Sequence, residues 1–349
     1  MITLLATIFV LSVLVFVHEL GHFLSAKAFG IRVERFSMGY PPRLFGKRRG
    51  DTDYCISAIP FGGYVKIAGM VDESLDAKAV QGPPQPWEFR SKPWLQRLIV
   101  VLAGSLMNLL LAYFIMTGFA RFQGVGRISG TTIGVVTEGR PAAAAGLKPG
   151  DRITAVDGDS VATWEELTSL IHSAPGRTLK IEWMSGDSLR AALITPARDT
   201  LDGRPVGLIG IQAKSEVVKI GWPAAFVESA KYCWHITRLI SVSLFRLITG
   251  QDSLKTLGGP VKIAQLAGDS ARQGMGSLFY LMALLSLNLG LLNLLPFPVL
   301  DGGHILILCI EGIVRKEIPV RAKMIIQQAG MVLLIGLILL VTYNDIFNR

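Results

Sequence analysis

His18-Glu19-Leu20-Gly21-His22 closes the apolar stretch from Ile2 to Leu24, and the reading of these few residues decides what kind of chain this is. The pattern is H-E-x-x-H. On a helix, two imidazoles four residues apart leave the same face and can share one zinc ion, with the glutamate between them placed as general base. Ionisable groups at the end of an apolar span are functional by default. The competing reading is a helix end whose His and Glu face water or each other.

Outward from the motif, Ile2 to Leu24 is long enough to cross a bilayer, which takes about 20 apolar residues. A cleaved signal peptide would also be N-terminal and apolar, but this stretch lacks the basic start and the small-residue cleavage site. Leu95 to Phe119 and Ile325 to Val341 are two further spans. Leu278 to Leu295 is a fourth with an irregular end, because Pro296-Phe297-Pro298 follows it. Half of the 349 residues are hydrophobic and 17% are charged. With a mean hydropathy of +0.46, this is the balance of a membrane protein carrying one modest soluble domain.

Three cysteines, Cys55, Cys233 and Cys309, are odd in number and far apart, which suggests neither a disulfide framework nor a cysteine metal site. The net charge of +9 does not imply nucleic acid, since in an apolar chain a basic excess collects in cytoplasmic loops. Lys27, Arg32, Arg35, Arg43, Lys47, Arg48, Arg49 and Lys66 lie between the first two spans, and Arg315, Lys316, Arg321 and Lys323 precede the last. The positive-inside rule puts both loops in the cytoplasm, and four spans then put both termini and the region from about 121 to 277 outside. Ala224 to Ile248 would upset this count if it crossed. Its Glu228, Lys231, His235, Arg238 and Arg246 share one helical face opposite Phe226, Trp234, Ile240 and Leu244, so it reads as an amphipathic helix on the outer membrane surface.

Catalytic zinc usually takes three protein ligands. His172 and His235 fall on the outer side, which leaves Asp301 and His304 in Asn293-Leu294-Leu295-Pro296-Phe297-Pro298-Val299-Leu300-Asp301-Gly302-Gly303-His304. At about 1.5 Å per residue, His18 sits roughly 24 Å into a helix that begins outside, near the cytoplasmic face. Asp301 follows entry of the third span by about 22 residues and arrives at similar depth. Asn293, Pro296 and Pro298 break that span, and such backbone persists at membrane depth only against protein or a water-filled cavity. A proline-kinked helix end with Asp301 as a cap would explain these residues without a metal. Spacing does not separate Asp301 from His304.

These residues resemble the site-2 protease family of zinc intramembrane proteases, and particularly its bacterial regulator-of-sigma-E type. The likeness covers most of the chain. It rests on His18 to His22, Pro60-Phe61-Gly62-Gly63-Tyr64-Val65, Gly104-x-x-x-Asn108, a PDZ-like region and Asn293 through Gly303. The resemblance implies zinc held by His18, His22 and Asp301, favouring Asp301 over His304, with Glu19 as catalytic base. It implies that Asn293 holds the substrate backbone near the metal, and it groups Asn108 with it less specifically; an interhelical hydrogen bond is the other reading for Asn108. Cys55 to Lys66 reads as an extended segment bent by Pro60 and Gly62-Gly63, and in the family a similar segment is a membrane re-entrant β-hairpin. Ile59, Gly62, Gly63 and Tyr64 are then the residues that meet substrate, because a helical substrate must be unwound and held extended, as β-augmentation does.

Thr132 to Val136, Arg140 to Leu147, Lys148-Pro149-Gly150-Asp151 and Ile153 to Gly158 look like a circularly permuted PDZ domain, with Thr132, Ile133 and Gly134 as candidate peptide-binding residues. The expected fold is a polytopic α-helical membrane protein with four transmembrane helices, a re-entrant β-hairpin and one extracytoplasmic PDZ domain of α+β type. Its parts are 1–120, 122–215 (PDZ), 216–277 (amphipathic surface helix and linker) and 278–349. The expected location is the bacterial inner membrane, with the active site near the cytoplasmic side. The implied substrates are single-pass membrane proteins, such as an anti-sigma factor or a remnant signal peptide, in a stress response governed by intramembrane proteolysis. Two other readings are a prenyl-protein-type membrane zinc protease, which takes a glutamate as third ligand, and a non-catalytic receptor presenting the PDZ domain.

Overall fold

Helix α1 (Ile2–Ala28) places Ala6, Val10, Leu14, His18 and His22 on one buried row. The spacing of four keeps them on a single face, so the row that packs against other helices ends in the two histidines. Leu4, Leu5, Phe9 and Leu24 on the other faces are exposed. The computed structural model describes residues 1–70, 82–201, 204–253 and 258–347, and the remaining residues, including part of the 216–277 linker, lie outside it.

Two compact units divide the chain, Met1–Gly118 with Pro223–Arg349, and Phe119–Trp222. In the first, α1 is followed by strands β1 (Val33–Arg49) and β2 (Thr52–Ile67), then by helix α2 (Trp94–Phe122). Later come α5 (Trp222–Ile248), α6 (Pro260–Gln273), α7 (Met275–Asn293), α8 (Asp301–Val314) and α9 (Val320–Phe347). Among the described residues α1, α2, α7 and α9 are the four helices long and apolar enough to cross a membrane, each at a position expected for a span. The helices run past the expected limits by a few residues, except that α7 stops at Asn293 rather than Leu295. Prolines 296 and 298 cannot continue it.

Helix α5 stays outside that count. Only Ala225 and Ser229 on it are buried, while Trp234, Phe245 and Ile248 are more than 60% exposed. It is tied to its neighbours by Tyr113 donating to the Phe226 carbonyl at 3.2 Å and by a hydroxyl pair between Tyr232 and Tyr280. The sequence reading missed α6, having taken that stretch as linker.

The hairpin is more folded than a simple pair. Arg35 to Met38 pair on one side with Asp53 to Ile56 and on the other with Gly63 to Lys66, while Arg43 to Arg49 pair with Thr52 to Ser57. Among the described residues, 63–67 therefore form the outer strand of this ladder. The Ser12 hydroxyl of α1 donates to the Pro60 carbonyl at 3.4 Å, which sets the Pro60 bend beside the middle of α1.

Helix α8 is fastened by charge. Glu311 is 4% exposed and lies 3.6 Å from Arg97 of α2 and 2.6 Å from Lys323 of α9, and its carboxylate accepts from the Ile318 amide at 2.9 Å. Trp94 of α2 adds a bond from its indole N–H to the Leu308 carbonyl at 2.8 Å.

The second unit is a sheet ordered β10-β3-β4-β6-β7, with β5 paired to β4: β3 (Val125–Val136), β4 (Arg152–Val156), β5 (Asp159–Ser160), β6 (Leu179–Ser185), β7 (Ser188–Ile194) and β10 (Ile211–Val218). Short helix α3 (Pro141–Ala144) and helix α4 (Trp164–His172) cover it, and β8 (Ala197–Leu201) pairs with β9 (Arg204–Leu208). Ile133, Ile153, Leu167, Leu179, Ile181 and Ile194 are all at most 2% exposed, each contributing about 1.5–3 kcal/mol by burial. Thr163 caps α4 through a complete capping box with Glu166.

The expected peptide-binding residues lie inside this sheet. Thr132, Ile133 and Gly134 sit on β3, an interior strand whose two sides are taken by β10 and β4, and Ile133 is 0% exposed. Neither backbone edge there is open to an added strand; the edge strands of this sheet are β10 and β7.

Candidate active site

The two imidazoles of α1 and the carboxylate at the start of α8 converge. His18 Nε2 and His22 Nε2 are 3.2 Å apart, and Asp301 lies 3.4 Å from each through separate oxygens. Among the described residues, this is the one group of three side chains whose ligand atoms could hold a metal ion. Zinc bonds of about 2.0–2.1 Å at tetrahedral angles separate ligand atoms by about 3.3 Å, so these separations suit the ion, which His18, His22 and Asp301 would hold.

Asp301 reaches this point because the chain turns sharply after α7. Phe297 and Leu300 amides bond to the carbonyls of Leu295 and Phe297, Val299 takes φ of 83°, and Leu300 becomes the N-cap of α8. Asp301 is thus the first residue of α8, not its cap. Gly302 and Gly303 let α8 close on this turn, since a β-carbon on Gly303 would stand 3.0 Å from Pro298 Cα and one on Gly302 2.5 Å from the Leu294 carbonyl. His304 lines the same cavity, but its Nε2 stands 3.1 Å from Gln327 Nε2 of α9 and it is not in the close group formed by His18, His22 and Asp301. Of the two residues that spacing left open, Asp301 is the one whose carboxylate stands with the two imidazoles.

Helix α2 orients the ligands. The Val100 carbonyl accepts from His22 Nδ1 at 2.8 Å, which keeps that proton on Nδ1 and the Nε2 lone pair free. Ser105 donates to Asp301 Oδ2 at 3.0 Å. Gly104 supplies the space, because a β-carbon there would stand 2.6 Å from His22 Cε1 and 2.8 Å from His18 Cε1. Asn108 is fully buried with Nδ2 3.3 Å from His18 Nδ1, so the structure puts it behind the ring rather than among substrate contacts. Asn293 Nδ2 is 3.4 Å from His18 Nε2 and 3.5 Å from His18 Nδ1, so it lies against the ring between its two nitrogens. Sequence reasoning missed Val100 and Ser105. A carbonyl carries no side-chain signal, and a serine in an apolar helix is ordinary.

A cavity of about 580 Å³ opens on these groups, lined by His18, Glu19, His22 and Asp301 on one side and by Arg35, Tyr40, Tyr64, Val65, Lys66 and Ile67 of the hairpin on the other. Tyr64 stacks on Tyr40 at 6.2 Å and accepts from Arg35 at 3.0 Å. Gly63 lies against α1, where a β-carbon would be 3.8 Å from Glu19 Cγ. Gly62, with φ of 123°, lies against the Tyr40 ring, and Ile59 is 48% exposed opposite Tyr40 in the ladder. The outer strand edge at 63–67 therefore faces the same cavity as Glu19 and the three ligand groups.

A buried three-ligand site with an adjacent carboxylate, on helices suited to a bilayer, defines a multi-pass membrane metalloendopeptidase. The chain belongs to Peptidase family M50, whose sequence model matches residues 6–337. It is 35% identical to a putative zinc metalloprotease of Clostridium perfringens, over 96% of each chain. It is 32% identical to the zinc metalloprotease RasP of Geobacillus kaustophilus, over 99% of this chain and 97% of that one. A putative zinc metalloprotease of Rickettsia conorii is 36% identical over 100% of this chain and 99% of its own. Among solved structures, the PDZ domain of an SdrC-like protein from Listeria monocytogenes is 33% identical over 25% of this chain and 90% of its own, with a TM-score of 0.22.

Proposed function

We propose that this protein is a zinc-dependent intramembrane endopeptidase that cleaves within or near the transmembrane segment of single-pass membrane proteins. The observation that carries the reading is that one cavity holds both the His18, His22 and Asp301 ligand set and the outer strand edge at 63–67. The names of the relatives, zinc metalloproteases, agree with the ligand chemistry.

When bound by His18, His22 and Asp301, zinc supplies Lewis-acid polarisation of the scissile carbonyl and acidification of water. The hairpin edge takes the unwound substrate as an added strand and so holds the amide extended. Glu19 accepts the proton of the attacking water and returns it to the leaving amine. The Asn293 amide, which lies against the His18 ring, steadies the substrate backbone.

The Ser12 to Pro60 bond at mid-helix supports a hairpin that re-enters the membrane. The basic loops support an active site near the cytoplasmic side, with the PDZ domain outside and α5 on the outer surface of a bacterial inner membrane. There the domain serves as peptide receptor or as size filter. The substrate classes are an anti-sigma factor or a remnant signal peptide. Cells carrying Glu19→Gln should accumulate trapped single-pass helices that wild-type cells clear, as read by membrane proteomics. Identical membrane proteomes would end this reading.

A further inference from the structure

The hydrogen bonds behind the two histidines are not equivalent. His22 Nδ1 meets a backbone carbonyl, which can only accept, so its tautomer is fixed. His18 Nδ1 meets the side chain of Asn108, which offers either an N–H or an oxygen, and the Asn293 amide nitrogen stands 3.5 Å from the same atom. As the amide stands, Nδ2 faces Nδ1 at 3.3 Å while Oδ1 is buried without a hydrogen-bond partner. That arrangement makes His18 Nδ1 the acceptor and puts the ring proton on Nε2, the atom aimed at Asp301. Turning the amide by 180° costs Oδ1 no existing bond and brings it to Nδ1.

We propose that Asn108 is a positioning residue of the metal site: its side-chain oxygen accepts from His18 Nδ1–H and leaves the His18 Nε2 lone pair free for zinc. This rests on the zinc reading of the site. Asn108 has no place in the cavity and is 0% exposed, so it acts only through the ring it faces. Its backbone carbonyl is itself held by Ser286 of α7 at 2.7 Å, which pins this turn of α2 while the side chain is free to choose its orientation. Val100, Gly104 and Asn108 follow one another at intervals of four on a single face of α2. One face thus sets both imidazoles, with the clearance between them supplied by Gly104.

The test is zinc affinity of the purified full-length chain in detergent, by chelator competition. Asn108→Ala and Asn108→Leu are expected to bind zinc about ten- to a hundredfold more weakly, the usual cost of losing an outer partner of a ligand histidine. Asn108→Asp, which keeps an acceptor at the same reach, is expected to bind at least as tightly as wild type. Leu and Asp fill the space comparably, so this pair separates proton acceptance from packing even if the alanine variant does not fold. Cobalt substitution gives a second readout: the visible bands of Asn108→Asp should match wild type, and those of Asn108→Leu should not. Wild-type affinity in Asn108→Leu, or equal loss in Leu and Asp, overturns the proposal. Wild-type protein that binds no zinc would overturn the zinc reading itself.

Discussion

Gly104 of α2 lies against the His22 imidazole of α1, so that a β-carbon on residue 104 would stand 2.6 Å from His22 Cε1. The contact is a requirement of the site, because two imidazoles turned toward one point leave no room for a side chain on the facing helix. Gly104→Ala should therefore push the rings apart and lower zinc content sharply, while the alanine itself favours the helix. Metal analysis beside far-ultraviolet circular dichroism separates the two effects, and full zinc occupancy in the variant would contradict this geometry.

Glu19→Gln keeps shape but removes the base. Cleavage is expected to fall about 10²- to 10⁴-fold with zinc content unchanged. Removing zinc from the wild type with a chelator should abolish cleavage, and zinc should restore it. A Glu19→Gln variant that cleaves at the wild-type rate would exclude the proposed base.

Glu311 anchors the helix that carries Asp301. Its side chain is 3% exposed between Arg97 and Lys323, so Glu311→Ala leaves two cations without their buried partner. The cost is expected to be about 3 kcal/mol, the low end for breaking a buried pair. Thermal unfolding in detergent measures it, and loss of zinc affinity should accompany the loss of stability.

The outer edge at 63–67 can be probed with proline at Val65 and at Lys66, one position at a time. Successive N–H groups of a strand point to opposite sides, so one of the two prolines breaks the pairing with Arg35 to Met38 and the other removes a donor on the far side of the strand. The second variant should fold and bind zinc, yet cleave helical substrates poorly. If both variants fold and cleave normally, the edge does not hold substrate.

Glu166 caps α4, and the backbone N–H groups of Ala162 and Thr163 hold its carboxyl below the usual range. A depressed folded-state pKa stabilises above the unfolded-state value and is lost as pH falls through the folded-state one. Hydrogen exchange of α4 should therefore be faster in Glu166→Gln than in wild type at neutral pH. The difference should vanish once the pH is below the folded-state pKa of Glu166. A difference that persists in acid would point to packing.

Much of the site was legible in the sequence because its signals are local. A spacing of four on a helix puts His18 and His22 on one face whatever surrounds them, and the prolines after Asn293 stop a helix by steric exclusion. The surroundings of Thr132 to Gly134 were not legible, for the opposite reason. A strand's sequence does not say which of its edges is taken, and β3 has a neighbour on either side because β10 returns to it from some eighty residues later. Asn108 was visible as an apolar-helix asparagine, but its role depends on which ring it meets.

The sequence by itself determined the four apolar helices and the placing of His18 and His22 on one helical face, since length, hydropathy and helical period are properties of contiguous residues. Only the tertiary structure decided that Asp301 rather than His304 stands with the two imidazoles, that α2 contacts both rings, and that the strand at 63–67 shares their cavity. Those facts depend on contacts between residues distant in the chain, where direction and clearance are fixed by packing and no local pattern records them.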